Sequence, residues 1–218
     1  DTLRAGESSA LKNVQVISLE MTKYQWQIRL DSRVSKIKHQ LFRQAKLENR
    51  DIKNWQESID KLKEERKNFY EITYVPKGCS AHSIEEIVMR NQEKRGKKCD
   101  LILIDYINLM TSNASLKGGS FLDWKNQAEV AYDIKSLCTD FNGGEGIAIW
   151  TANQMTDEWD SSKGNEMKTK YAKYARAISE VAQIIVGTSQ NADQFLEGWI
   201  KFEVVKCRDF PKIPFIKL

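Results

Sequence analysis

At 218 residues, with 41% apolar and 29% charged, the chain is an ordinary globular protein with room for one substantial core, neither disordered nor fibrous. Its net charge of +4 permits nucleic-acid binding without demanding it. No apolar run approaches the ~20 residues that span a bilayer, and no signal peptide opens the sequence, so no membrane role is expected.

Asp1 to Asn13 is polar and rich in small residues, with no turn signal. Val14-Gln15-Val16-Ile17-Ser18-Leu19 reads as a strand ending at Glu20. Thr22, with Gln25 three residues on, makes a capping box that opens a helix. Glu20 is thus the first polar residue beyond a buried strand; the plainer reading is that it favours the following helix's N-terminus. From Asp31 to Phe69 the chain is charged and helical. Val34, Ile37 and Leu41 mark one apolar stripe, and Trp55, Ile59, Leu62 and Phe69 another, which predicts two helices joined by the polar stretch Lys46 to Lys53. Glu71 to Val75 reads as a second strand, closed by the turn Pro76-Lys77-Gly78. Ser83 with Glu86 predicts another capping box, and Ile84, Ile87 and Val88 give its helix a buried face.

Leu101-Ile102-Leu103-Ile104 follows as a continuous apolar run, the pattern of a central parallel strand buried on both faces. Asp105 ends it. Open α/β sheets bind ligands at that end of their strands, and an aspartate there can hold hydrated Mg²⁺ beside nucleotide phosphates; the plainer reading is the start of a turn. Strand, helix, strand in this order argues for a parallel sheet with right-handed crossovers. Thr111 to Asn126 is a loop too long to be mere connection. Ala131, Ile134, Leu137, Cys138 and Phe141 mark a helix stopped by Asn142-Gly143-Gly144. Ile147 to Thr151 is another buried strand, with Asn153-Gln154 just past it.

Met155 to Ala175 carries Lys163, Lys168, Lys170 and Lys173 with Trp159, Tyr171 and Tyr174. Lysines interleaved with aromatics suit single-stranded nucleic acid; a solvated loop is the alternative. The finish reads as all β: Gln183 to Gly187, Trp199 to Val205 and Ile213 to Leu218. Lys206 and Arg208 are spaced to point the same way from an extended backbone, as edge-protecting cations also do. Cys79, Cys99, Cys138 and Cys207 form no CxxC pair, and His39 and His82 are the only histidines. That argues against a zinc site and suits the reduced thiols of the cytosol.

Taken in order, these segments resemble the motor domain of the DnaB-type replicative helicases, members of the RecA-like ATPases. Ser18-Leu19-Glu20-Met21 is similar to the motif after that family's second core strand. Leu103-Ile104-Asp105-Tyr106-Ile107-Asn108-Leu109-Met110 resembles its Walker B strand. Gln154 falls at its γ-phosphate-sensing glutamine, Ala177 to Ala182 is similar to the segment before the next core strand, and Val205-Lys206-Cys207-Arg208 resembles its Lys-x-Arg element. The resemblance covers most of the chain and is weakest over 31–69.

It implies a RecA-like three-layer α/β fold with a mostly parallel central sheet and a β-rich C-terminal end. Residues 1–218 would form one motor domain with a helical insertion at about 31–69. It implies ATP and Mg²⁺ as cofactors. Glu20 would be the general base, Asp105 would hold Mg²⁺ through its water shell, and Gln154 would report the γ-phosphate. Lys206 and Arg208 would act on the neighbouring subunit's nucleotide, so a homo-hexameric ring is implied. Loops 111–126 and 155–175, with Lys117, Lys163, Lys168 and Lys170, would grip single-stranded DNA. Primase and a helicase loader are the further partners implied, in the cytoplasm of a bacterial or phage-infected cell. One departure stands out: the family's phosphate loop, GxxxxGK followed by Ser or Thr, is absent, and nothing from Asp1 to Asn13 replaces it. A fragment beginning beyond that loop is the favoured explanation, over a protein that has given up hydrolysis. Two other readings remain: a RecA-like ATPase used as a nucleotide switch, and an ATPase-inactive DNA-binding ring subunit.

Overall fold

A computed structural model of the protein describes residues 13–65, 69–114, 124–154, 175–208 and 216–217. Four strands, β1 (Val14–Ser18), β2 (Tyr70–Tyr74), β3 (Leu101–Asp105) and β4 (Ala148–Thr151), form an all-parallel sheet in the order β2-β1-β3-β4. This is the parallel α/β core expected from the strand–helix–strand order. All four carboxyl ends therefore lie on one side, and the segments leaving them share that edge.

Helix α1 (Lys23–Ser35) starts from the expected cap: Thr22 accepts from the Gln25 N–H, and Gln25 accepts from the Thr22 N–H at 2.9 Å. Two further helices, α2 (His39–Arg43) and α3 (Asn49–Glu65), follow, so the 31–69 region holds more than the two expected helices, and the first of them begins well before Asp31. Lys36 breaks α1 by taking a left-handed conformation (φ 58°). Phe42 of α2 meets Trp55 of α3 edge-on, with ring centroids 5.7 Å apart. The polar joint is correspondingly shorter than Lys46 to Lys53, because α3 already begins at Asn49.

The cap of α4 (Ala81–Arg95) is Ser80 rather than Ser83; Ser80 Oγ accepts from the Ser83 N–H at 3.3 Å. Glu86 does not close a capping box but lies 3.4 Å from His82 Nε2. Helix α5 (Trp124–Gly144) starts earlier than its apolar stripe suggested. It stops as expected, since Phe141 turns extended and Asn142 and Gly143 turn left-handed.

Strand β3 is not buried on both faces. Ile102 and Ile104 are fully enclosed, whereas Leu101, Leu103 and Asp105 are half-buried. The register places Gln15, Ile17, Ile102 and Ile104 on one face. That face carries the core, under Ile84 and Val88 of α4 and Val130, Ile134, Leu137 and Phe141 of α5. On the opposite face α1 packs toward β2. Strand β4, at the sheet's edge among the described residues, is likewise more exposed than its apolar sequence suggests; Trp150 is 62% accessible.

The C-terminal part is β-rich but not all β. After α6 (Ala175–Val181), β5 (Ile184–Ser189), β6 (Lys201–Cys207) and β7 (Ile216–Lys217) form a separate antiparallel sheet. A short helix, α7 (Ala192–Glu197), intervenes, capped reciprocally by Asn191 and Gln194. No helix among the described residues is long and apolar enough to cross a membrane.

Candidate functional site

The site grows from one parallel strand pair. β1 and β3 are in register with Ser18 opposite Asp105. The Leu19 N–H donates to the Asp105 carbonyl at 2.8 Å, extending the pairing one residue further. Glu20 therefore leaves β1 beside the residue that ends β3. Buried Ser18 shapes the turn, its Oγ accepting from the Met21 N–H at 3.0 Å.

Burial pushes the Asp105 carboxyl above the usual carboxylate range, and the neighbouring Glu20 charge pushes it further; the Trp26 indole N–H and Arg29, both on α1, only partly oppose this. Among the described residues the buried Trp26 Nε1 atom makes no well-aligned hydrogen bond, so it faces Asp105 without fully satisfying it. Two carboxylates close together, one partly out of water, make a place where a divalent cation relieves repulsion. Among the described residues no three His, Cys, Asp or Glu side chains cluster as a metal cage. The residues thus fit Mg²⁺ held by Asp105 together with water and ligand phosphates, the manner that ion prefers. A backbone cradle for those phosphates is not among the described residues.

Gln154 joins this group from β4. Its Nε2 donates to the Tyr106 hydroxyl at 3.3 Å, and its backbone N–H reaches Asn108 Oδ1 at 3.5 Å. The ends of β3 and β4 are tied by the Ile107 N–H, which donates to Thr151 Oγ1 at 3.1 Å. Burial, then the charges of Glu20 and Asp105, raise the Tyr106 pKa, while the Gln154 contact lowers it. The phenol therefore stays protonated between the carboxylates and Gln154. Glu20, Asp105 and Gln154 accordingly come together around Tyr106.

Lys206 and Arg208 stand elsewhere. Lys206, on β6, donates to the Ala182 carbonyl at 2.7 Å and to that of Ser179; Arg208 donates to the Glu180 carbonyl. All three carbonyls belong to the end of α6, where free acceptors and the negative end of the helix dipole attract cations. Burial, then the Arg208 charge, lower the Lys206 pKa. Lys117, Lys163, Lys168 and Lys170 lie outside the described residues.

Trp26, Arg29 and Asn108 were not singled out from the sequence. Thr22, Trp26 and Arg29 recur at i, i+4 and i+7, so once Thr22 is the cap they share a helix face. That spacing was the available signal for Trp26 and Arg29.

A family model described as DnaB-like helicase C terminal domain matches residues 3–186. Comparison with curated proteins finds no match. Among solved structures, the chain resembles one described as a DnaB-like replicative helicase and its interactions with primase (TM-score 0.73, 16% identity, 95% of this chain and 48% of that one). It also resembles a second solved structure, described as an ATPase domain (TM-score 0.76, 18% identity, 95% of this chain and 70% of that one). The chain thus spans about half the length of the first of these relatives and shares their fold.

Proposed function

From the premise that the chain belongs to the DnaB-like helicase C-terminal domain family, we propose that it is the RecA-like motor domain of an ATP-dependent replicative DNA helicase, occupying residues 1–218. The observation that carries this reading is the pairing of Glu20 and Asp105 at the carboxyl ends of adjacent parallel strands, through the 2.8 Å bond from Leu19 to Asp105.

In this account ATP binds with Mg²⁺ at that edge of the sheet. Mg²⁺ supplies charge neutralisation of the phosphates when bound. Asp105 holds its water shell, and Glu20 takes a proton from the attacking water; base assistance of this kind contributes roughly 10²- to 10⁴-fold. Gln154, anchored on Tyr106, reports whether the terminal phosphate is present. Lys206 and Arg208 act in trans across a subunit interface of a homo-hexameric ring, so assembly switches hydrolysis on. Within one chain both rest on carbonyls at the end of α6. The segments around Lys117 and around Lys163, Lys168 and Lys170 grip single-stranded DNA. The interaction with primase described for one relative makes primase a partner to test here, alongside a helicase loader.

The test is steady-state ATP turnover by the full-length protein with and without single-stranded DNA. DNA-stimulated turnover supports the motor. Nucleotide binding that changes DNA affinity without turnover favours an ATP switch, and absence of nucleotide binding favours an inactive ring subunit.

A further inference from the structure

Apart from the contact of Asn108 with Gln154, one group of residues has no place in the site above. Of the ten buried polar side chains among the described residues, five stand together: Asn108, Thr111, Ser112, Asn126 and Gln127. They fasten the segment that leaves Asp105 to the start of α5. Gln127 Nε2 donates to the Asn108 carbonyl at 3.1 Å, and Asn126 Nδ2 to that of Met110 at 3.3 Å. Asn126 Oδ1 accepts from the Ser112 N–H at 2.8 Å and from Thr111 Oγ1 at 3.2 Å. From the other side, the Gly78 N–H donates to the Leu109 carbonyl at 2.7 Å and the Thr111 N–H to the Cys79 carbonyl at 3.1 Å. The stretch 107–113 is thus clamped between α5 and the turn that enters α4.

Polar groups buried together are tolerated when each is satisfied, and they then specify one arrangement. Asn108 breaks that rule. Its Oδ1 accepts the long 3.5 Å contact from Gln154, while its Nδ2 is buried with no hydrogen-bond partner among the described residues. Leucine would fill the same space without an orphan donor. A local rule broken this close to a site is where function is expected.

We infer that Asn108 is the positioning residue for Gln154, fixing it at the end of β4 and tying its position to the 107–113 stretch, which precedes Lys117 in the chain. The inference rests on the reading of Gln154 as the residue that reports bound phosphate. Asn108 has an engaged acceptor and an idle donor; a shift of Gln154 that brings its side-chain Oε1 to Nδ2 in place of its N–H on Oδ1 gives the two discrete states that coupling between sites requires.

The experiment compares the full-length wild type with Asn108→Leu, Gln154→Ala and the double variant. The affinity for a fluorescent single-stranded oligonucleotide is measured with a non-hydrolysable ATP analogue and with ADP, alongside Tm. Expected is a collapse of the ratio of the two affinities in Asn108→Leu by about fivefold or more, with Tm held. The double variant should lose no more than Gln154→Ala alone. An unchanged ratio, additive losses, or losses that track Tm would overturn the inference. Should Asn108→Leu fold poorly, hydrogen exchange on the wild type decides: peptides over 107–113 and over 152–154 must change protection together when the analogue binds, and independent changes overturn it. A wild type whose DNA affinity ignores nucleotide overturns the underlying functional reading, and this inference with it. A nucleotide-sensitive wild type with an equally sensitive Asn108→Leu overturns the inference alone.

Discussion

The Leu19 N–H and the Asp105 carbonyl oxygen are hydrogen-bonded at 2.8 Å, and this main-chain contact holds Glu20 beside Asp105. Because the bond uses no side-chain atom of either acid, replacing either carboxylate leaves the strand pairing in place. Variants at these two positions therefore test chemistry rather than folding.

Asp105→Asn should stabilise the protein while disabling it. The Asp105 carboxyl is raised by burial first and by Glu20 second. A carboxyl raised in the folded state contributes stability below its unfolded pKa and loses it as pH rises through the folded value. At neutral pH the ionised group therefore weighs against folding. The expected result is a Tm at pH 7 equal to or above the wild type's, with the difference closing as pH falls below the carboxylate range. Calorimetry with and without Mg²⁺ should also show that the variant has lost any cation-dependent upshift of the wild type. A lower Tm at pH 7 would contradict the assignment.

Glu71 behaves in the opposite sense. Burial raises its pKa, but Lys23 at 3.2 Å and the hydrogen-bonded Arg95 together outweigh burial and lower it. The stability it contributes is present above the unfolded carboxylate pKa and is lost as pH falls through the depressed folded value. Both cations are substantially exposed, so the network contributes about 1 kcal/mol or less. Glu71→Gln should lower Tm by at most about 2–4 °C at pH 7, with a smaller difference in acid, as thermal unfolding across pH will show.

Arg208→Ala should impair the neighbour's site rather than its own. In the trans-acting account, turnover falls by about 10³- to 10⁵-fold, and variant subunits poison mixed rings more steeply than their mole fraction. Activity that falls linearly in a mixing titration would place Arg208 in a role confined to its own chain, such as capping α6.

Removing the charges of Lys168 and Lys170 together should weaken single-stranded DNA binding. The slope of log affinity against log salt should flatten by about 1.4, at roughly 0.7 for each phosphate no longer neutralised. A fluorescence-anisotropy salt titration measures this, and an unchanged slope returns the segment to a solvated loop.

The parallel sheet was legible because buried strands write themselves as apolar runs: Val14 to Leu19 and Leu101 to Ile104 each marked a strand, and the polar residue after each pointed to Glu20 and Asp105. The strand Ile147 to Thr151 likewise pointed to the pair Asn153-Gln154, and the family resemblance picked out Gln154. Burial was less readable than order. An apolar run signals a strand without saying how fully its neighbours cover it, so exposed Trp150 and half-buried Leu103 were unexpected. The α4 cap was placed at Ser83 rather than Ser80, because either serine of Ser80-Ala81-His82-Ser83 could accept at a helix start. Asn108 was invisible for a different reason: its significance lies in contacts with Gln154 and Gln127, 46 and 19 residues away in the chain.

The most direct test of the central claim is Glu20→Gln in the full-length protein, with ATP binding and DNA-stimulated turnover measured on the same preparation. The account predicts that Mg²⁺–ATP binding is retained while turnover falls by about 10²- to 10⁴-fold, because only the proton acceptor is removed. Turnover near the wild-type rate, with binding intact, would contradict it and remove Glu20 from the chemistry.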